Sequence, residues 1–484
     1  MFIDGAHCLA GNPAQLHYGV CVTDIDGDGA FEIIVTGFGC PTQVLKWDGA
    51  ALFDVADAAI ADPESRSIGI AAADIDGDGL EEVYILNTDT FAGPKRQGDR
   101  LFSRIGGELT DIFRLSENRG VRNVTAGRSV AALDRYGNGR YGFVVANYGG
   151  PFRLYEAPDP PWLVDMAGQA RINVIAGGRG LVTAPLFGTG TDIFAATENG
   201  ANLLFRNDGT GRFDEVAAEM GLSDRLTHGR GVVVFDPPDA ARCGFAPGLA
   251  PVLAPGLAYV NWEGVNRLYH RSSDGRFIDR APASFMVPGR ARTVIAADFD
   301  NDGFQEIFVN NIGQPNKLFA WRNDAWCAVD IGAAAEPRGL GTGAAVADID
   351  GDGRLELLIA HGEAGAQPLT LYRARDRDHN WIRIAPLTAA GAPARGASVL
   401  CDAGGRRQHR VVDAGSGYLC QMEPVAHFGL GAVAAVERVE IIWPDGVRSV
   451  LEAPEPGRQH RVAYPDSQPR IGSGPAISGR RLSD

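Results

Sequence analysis

The sequence predicts an all-β protein, a seven-bladed β-propeller followed by a small β-domain. Three observations carry that expectation: an acidic loop that recurs along the chain, a four-strand pattern built around each copy, and a high glycine content. Of 484 residues 63 are Gly, nearly twice the ordinary share of about 7%. Many turns are therefore expected, and a helical bundle is not.

The repeat is explicit. DIDGDGAFEIIV from Asp24, DIDGDGLEEVYI from Asp74, DFDNDGFQEIFV from Asp298 and DIDGDGRLELLI from Asp348 are close copies. Weaker copies lie at Asp134, around Phe187 and around Asp236, so seven units recur at intervals of about 50 to 60 residues. In each, an apolar run enters the loop (residues 19–23, 68–72 and 292–296) and a β-branched and aromatic run leaves it. A Gly- or Asn-rich turn follows, then a pair such as Leu101-Phe102, Leu154-Tyr155, Leu204-Phe205, Leu268-Tyr269 or Leu318-Phe319. Several units add a DG turn and a last short strand, as before Phe213 and Phe277. Four short strands joined by hairpin turns are the pattern of a propeller blade.

Phe2-Ile3-Asp4 resembles those last strands but has no acidic loop before it. The N-terminal residues should therefore complete the seventh blade and remove an open sheet edge. The propeller is expected over 1–377. From about Asn380 the period is lost, and strands near 381–384, 397–401, 409–413, 439–443 and 448–451 suggest a second β-domain over 378–456. The tail, 457–484, is rich in Ser, Gly, Pro and Arg and is expected to be largely disordered.

The acidic loops are not EF-hands, because position 12 is Val35, Ile85, Val309 or Ile359 rather than a bidentate Glu. Position 9 is a glutamate each time. The candidate oxygen ligands are Asp24, Asp26, Asp28, Glu32 and the carbonyl of Ala30; Asp74, Asp76, Asp78, Glu82 and the carbonyl of Leu80; Asp298, Asp300, Asp302, Glu306 and the carbonyl of Phe304; and Asp348, Asp350, Asp352, Glu356 and the carbonyl of Arg354. Such a cage suits Ca²⁺, which takes six to eight oxygens, better than Mg²⁺, which keeps its waters. About four ions are expected, which would bring the formal charge from −15 to −7. The loops at Asp134, Phe187 and Asp236 lack ligands and should hold none.

A net acidic surface argues against nucleic acid as a partner, and no apolar stretch is long enough for membrane insertion. Seven cysteines without CxxC or CxxH spacing read mostly as small buried hydrophobes. The start, MFIDGAHCLAGNP, has neither a basic nor an apolar leader region, so the sequence as it stands reads as cytoplasmic.

These units resemble the FG-GAP/VCBS repeats of integrin-α-like propellers. The second segment is similar to the ASPIC/UnbV domain at residues 396–399, 415–419, 427–431 and 443–446. The combination resembles the cartilage acidic protein-like family. It implies calcium in the matching loops, and a periplasmic or secreted location as the alternative. The family's members are described as secreted or interaction proteins and, in some enediyne gene clusters, as biosynthetic accessories. Cys420 stands where the family's motif has Ser.

Opposite the calcium loops, the starts of the innermost strands carry His17, Arg66, Arg128, Arg179, His228, Arg230, Arg290 and Arg292. The far ends of the second strands carry Asn87, Asn147, Asn199, Asn261, Asn310 and Asn311. This ring is a candidate receptor for an anionic ligand, though the same side chains could instead hold neighbouring blades together. No nucleophile–base pair and no second carboxylate pair lies outside the loops. The sequence therefore reads as a calcium-binding scaffold for a protein, a glycan or a small anionic ligand. The alternative is an enzyme or biosynthetic accessory with its site at the channel mouth.

Overall fold

The computed structural model describes residues 1–225, 227–238, 254–375 and 377–465. Among the described residues, seven sets of four antiparallel strands span the first 374 residues; six run outward in chain order, and the last takes its outer strand from the N-terminus. Their innermost strands are His17–Thr23, Ser67–Ala73, Gly127–Leu133, Ile175–Ala184, Gly229–Phe235, Ala291–Ala297 and Gly341–Ala347. Each packs against the next, and the last packs against the first, so the sheets form a closed β-propeller. The third and fourth sets also pair edge to edge, Tyr148 with Gly177 and Pro151 with Ile175.

The ring closes as the sequence anticipates. Phe2–Asp4 pairs with Thr370–Ala374 in the register Phe2 to Ala374 and Asp4 to Tyr372, supplying the outer strand of the last set. Apolar side chains of adjacent sheets interlock between them. Phe2, Phe299, Phe308, Leu357 and Tyr372 share one such cluster, and Tyr84, Phe113, Phe143 and Tyr155 share another. The six described cysteines are free, four of them buried; Cys243 lies outside the described residues. Among the described residues, no helix is long and apolar enough to cross a membrane.

The second unit has two sheets. Arg406–Val411, Ser398–Ala403, Arg438–Ile442 and Arg448–Glu452 are adjacent in that order, and Asn380–Pro386 lies between Ala426–Gly431 and Gln459–Val462. Ile382, Val399, Phe428, Ile441 and Trp443 fill the space between the sheets. Gln459–Val462 pairs in parallel with Asn380–Pro386, so ordered strand extends past residue 456 into the segment read from sequence as tail. Residues 466–484 lie outside the described residues.

A loop from this second unit fills the propeller axis. Residues 413–423 hydrogen-bond to the innermost strands of six of the seven sets. Ala132 N–H donates to Ala414 O at 2.7 Å, and Val232 and Gly417 exchange bonds of 2.9 and 2.6 Å. Val22 N–H donates to Gln421 O at 3.1 Å, Ile70 N–H to Leu419 O at 3.4 Å and Glu423 N–H to Val346 O at 3.4 Å, while Thr293 Oγ1 donates to Tyr418 O at 3.3 Å. The Gln421 side chain accepts from Ala72 N–H at 2.7 Å and donates to Ala72 O at 3.0 Å, as a strand neighbour would. The approach needs glycine on both sides. A Cβ at Gly19 would lie 2.7 Å from Leu419 O, and one at Gly415, whose φ is +132°, would lie 2.6 Å from Ala131 Cβ.

Candidate functional site

Each acidic loop starts where an innermost strand ends, and its own hydrogen bonds shape it. The position-1 aspartates accept from the backbone five residues on: Asp24 from Gly29 (2.8 Å), Asp74 from Gly79 (3.0 Å), Asp298 from Gly303 (2.9 Å) and Asp348 from Gly353 (3.0 Å). One oxygen of each position-9 glutamate accepts from the position-2 N–H: Glu32 from Ile25 (3.0 Å), and Glu82, Glu306 and Glu356 from Ile75, Phe299 and Ile349 (each 2.9 Å). The N–H groups of Ala30, Leu80, Phe304 and Arg354 donate to Asp28, Asp78, Asp302 and Asp352 at 2.8 to 2.9 Å.

The remaining oxygens converge. Asp24, Asp26 and Glu32 bring ligand atoms within 4.8 Å of one another, as do Asp74, Asp76 and Asp78; Asp298, Asp300 and Asp302; and Asp348, Asp350 and Glu356. Asp28, Glu82, Glu306 and Asp352 belong to the same loops but lie outside these tight triples. Asp298 Oδ1, Asp300 Oδ1 and Asp348 Oδ1 are buried without a hydrogen-bond partner, the condition a cation relieves.

Positive charge already stands in three of the four clusters. Lys46 Nζ is 2.8 Å from both Asp28 and Glu32 and also contacts Asp26. Arg322 is 2.5 Å from Asp300 and 2.6 Å from Asp302. Arg373 contacts Asp350 and is 3.3 Å from Glu356. Among the described residues none of Asp74, Asp76, Asp78 and Glu82 is ion-paired with a lysine or arginine, although Glu81 in the same loop takes Arg395. There burial, then the neighbouring aspartates, push Glu82 up to about 9, and burial pushes Asp74 up to about 6.

The acids of the divergent loops are met by backbone N–H donors, for Asp236 one from the second unit. Asp134 accepts from Asn138 and Gly139 N–H at 3.1 and 2.8 Å. Asp192 accepts from Leu186 and Phe187 N–H at 3.0 and 3.1 Å. Asp236 accepts from His409 N–H at 2.9 Å.

The second unit covers the acidic loops, which the sequence reading did not anticipate. Arg383 joins Asp348, at 2.5 Å, to Glu423. Gly429 N–H donates to Asp298 at 3.0 Å, and His427 Nε2 is 2.6 Å from Asn301 Oδ1. Arg395 is fully buried against Glu81, with Nε 2.5 Å from one carboxylate oxygen. Glu81 is position 8 of its loop, where the other copies have Phe31, Gln305 and Leu355, and it faces the second unit.

At the opposite mouth, only part of the expected basic ring converges. Arg128, Arg179, Arg230 and Arg292 are each buried to 7% exposure or less. All four surround Tyr418, a residue the sequence reading left among motif positions of the second unit. Burial opposes ionisation of that phenol, but the four guanidiniums outweigh it and draw its pKa below the usual value. Glu198 joins Arg179, at 2.7 Å, to Arg230, at 2.9 Å, and Glu363 holds Arg292 at 2.8 Å.

The other expected members stand apart from this cluster. His17 is buried, with Nδ1 3.3 Å from Thr36 O, and burial pushes it down to about 4. Arg66 is exposed beside Phe38, and Arg290 pairs with Glu263 at 3.1 Å. His228 lies at the rim, 3.7 Å from Glu198. Asn147 and Asn261 donate to Pro151 O and Val265 O within their own turns, and Asn199 sits in an exposed turn at φ +61°.

Comparison with known proteins fits this two-part construction. FG-GAP-like repeats match residues 24–85, 257–309 and 302–359, and the ASPIC and UnbV family matches residues 388–469. Cartilage acidic protein 1 of Homo sapiens is 43% identical over 475 residues, which cover 90% of this chain and 70% of that protein. The chain belongs to the cartilage acidic protein 1 family. The Xenopus tropicalis member is 41% identical over 94% of this chain and 74% of its own length, and the Mus musculus member 41% over 95% and 76%. Among solved structures, BBS1N in complex with ARL6DN aligns with a TM-score of 0.45 at 11% identity, covering 78% of this chain and 98% of that one. The SapL1 lectin in complex with alpha methyl fucoside aligns at 0.38 and 13%, covering 65% and 96%. Both are distant likenesses beside the family members.

Proposed function

We propose that this protein is a calcium-binding propeller scaffold that engages a protein or glycan partner through the basic face opposite its acidic loops. The Asp74 loop is the observation that supports it most: Asp74, Asp76 and Asp78 converge beside buried Glu82, none of the four in an ion pair among the described residues, and Ca²⁺ would neutralise them with the oxygen donors it prefers. Residues of the Asp24, Asp298 and Asp348 loops would hold further ions, with Lys46, Arg322 and Arg373 moving aside or sharing carboxylates at the rim. Calcium here organises structure. The partner contact falls to the far mouth, where buried arginines outnumber their carboxylates.

The test is thermal unfolding of the full chain with Ca²⁺ and with EGTA. A ligand bound only by the folded state stabilises it by RT ln(1 + [L]/Kd), about 2.7 kcal/mol at a hundredfold excess over Kd. The expected outcome is a lower melting temperature in EGTA, restored by added Ca²⁺. Identical curves would reject the calcium reading.

A further inference from the structure

We propose that the channel mouth opposite the acidic loops binds an organic carboxylate with a flat apolar body. Arg128, Arg230 and Arg292 hold the carboxylate over Tyr418, and Trp262 and Phe91 take the body.

Three observations carry this. The first is partly unspent donor capacity: the terminal nitrogens of Arg128 and Arg230 donate to Phe91 O and Gly229 O, but the Nε groups of Arg128, Arg230 and Arg292 are buried without a hydrogen-bond partner, on side chains at least nine-tenths buried. Leaving such a donor unmade costs more than an average hydrogen bond gains. The second is charge. Four guanidiniums meet two carboxylates, Glu198 and Glu363, a local surplus of about two positive charges that an anion would offset. The third is aromatic surface beside these arginines. Phe91 is 64% exposed, with the guanidiniums of Arg128 and Arg179 each 5.0 Å from its ring centre. Trp262 lies 4.6 Å from the Arg292 guanidinium and 5.8 Å from that of Arg230.

The mouth already handles carboxylates. Glu198 spans two arginines, the planar match that guanidinium favours. Glu363, in a left-handed turn at φ +66° with its side chain 44% exposed, rests on Arg292. It is the group an incoming carboxylate would displace. Tyr418, its ring centre 5.8 Å from the Arg292 guanidinium, offers a hydroxyl donor at the floor. The site exists only when the second unit's loop is seated, because Tyr418 comes from that loop.

This inference rests on the reading of the basic face as the binding face, and its test is separable from the calcium test. The calcium-loaded full chain is titrated calorimetrically with benzoate, acetate and inorganic phosphate. Benzoate should bind at least about fivefold more tightly than acetate, because its ring meets Trp262 and Phe91. Arg292→Ala should weaken benzoate about tenfold or more, and Trp262→Ala should erase its advantage over acetate. Glu363→Gln should tighten benzoate, since the internal competitor loses its charge; a packing role alone would not predict a gain. Absence of benzoate binding, a preference for phosphate, or weaker binding in Glu363→Gln would each overturn the proposal. Where Arg292→Ala fails to fold, Glu363→Gln and Trp262→Ala decide. Failure of benzoate with EGTA-sensitive melting intact rejects this site alone.

Discussion

His17 and His409 are imidazoles in places that a charge enters only at a cost. Burial pushes His17 down to about 4, and burial followed by the nearby Arg410 pushes His409 down to about 3. Both would titrate near 6.5 in the unfolded chain. Between these values the unfolded state binds more protons, so the stability that neutral His17 and His409 contribute is full above about pH 6.5 and is lost as pH falls towards 4 and 3. In urea midpoints measured from pH 7 to pH 4, the parent chain should lose stability relative to His17→Gln as the pH falls. A difference that does not change with pH would mean His17 is protonated in place.

The same residue shows where sequence reasoning ends. The metal-type loops were legible because their chemistry is local: nine residues supply the acids, the glycine turn and the hydrogen bonds that orient them. His17 was assigned to a basic face by its place at a strand start, but whether it faces solvent or core depends on the bulge that shifts pairing register between His17 and Val20. Tyr418, Glu363 and Glu81 were missed for a different reason. Their partners are far away in sequence, as with Glu81 and Arg395, 314 positions apart.

At the level of elements, the axial loop 413–423 and the strands it meets form one hydrogen-bonded body. Arg395 anchors it. Its guanidinium pairs with Glu81 and also donates to Asp413 O at 2.8 Å and Val22 O at 3.0 Å, tying the base of the loop to the first two sheets. Arg395→Ala would leave Glu81 buried without its counter-charge, an arrangement that costs about 3 to 5 kcal/mol. The expected result is a large fall in the denaturation midpoint, with part of the loss recovered when Glu81→Gln is added. Equal loss in the double variant would mean that the contacts to Asp413 and Val22, rather than the ion pair, carry the effect. The strands of both units could be read from alternation and turns. That one unit inserts a loop into the other could not, because the pairing is between backbones and small residues such as Gly19 and Ala132, which carry no side-chain pattern of their own.

For the molecule as a whole, the ring makes the two ends of the propeller depend on each other. Phe2 is 6% exposed, stands edge-on to Phe299 with ring centres 5.0 Å apart, and lies 6.4 Å from Tyr372. The closing strand therefore touches the sixth and seventh sheets at once. Truncating a buried phenylalanine to alanine costs about 3 to 5 kcal/mol through lost transfer energy and the cavity left behind. In an open stack of sheets that loss would stay with the last sheet, which would melt first and alone. In a closed ring whose axis is filled by a loop bonded to six of the seven innermost strands, every sheet has two neighbours and most share a contact, so the penalty should lower one cooperative transition. Phe2→Ala should shift the whole melting curve downward as a single step in the presence of Ca²⁺, whereas Ile3→Ala, at a position 50% exposed, should leave it nearly unchanged. A separate early transition in Phe2→Ala, or no shift at all, would show that the N-terminal strand covers the edge without closing the ring energetically.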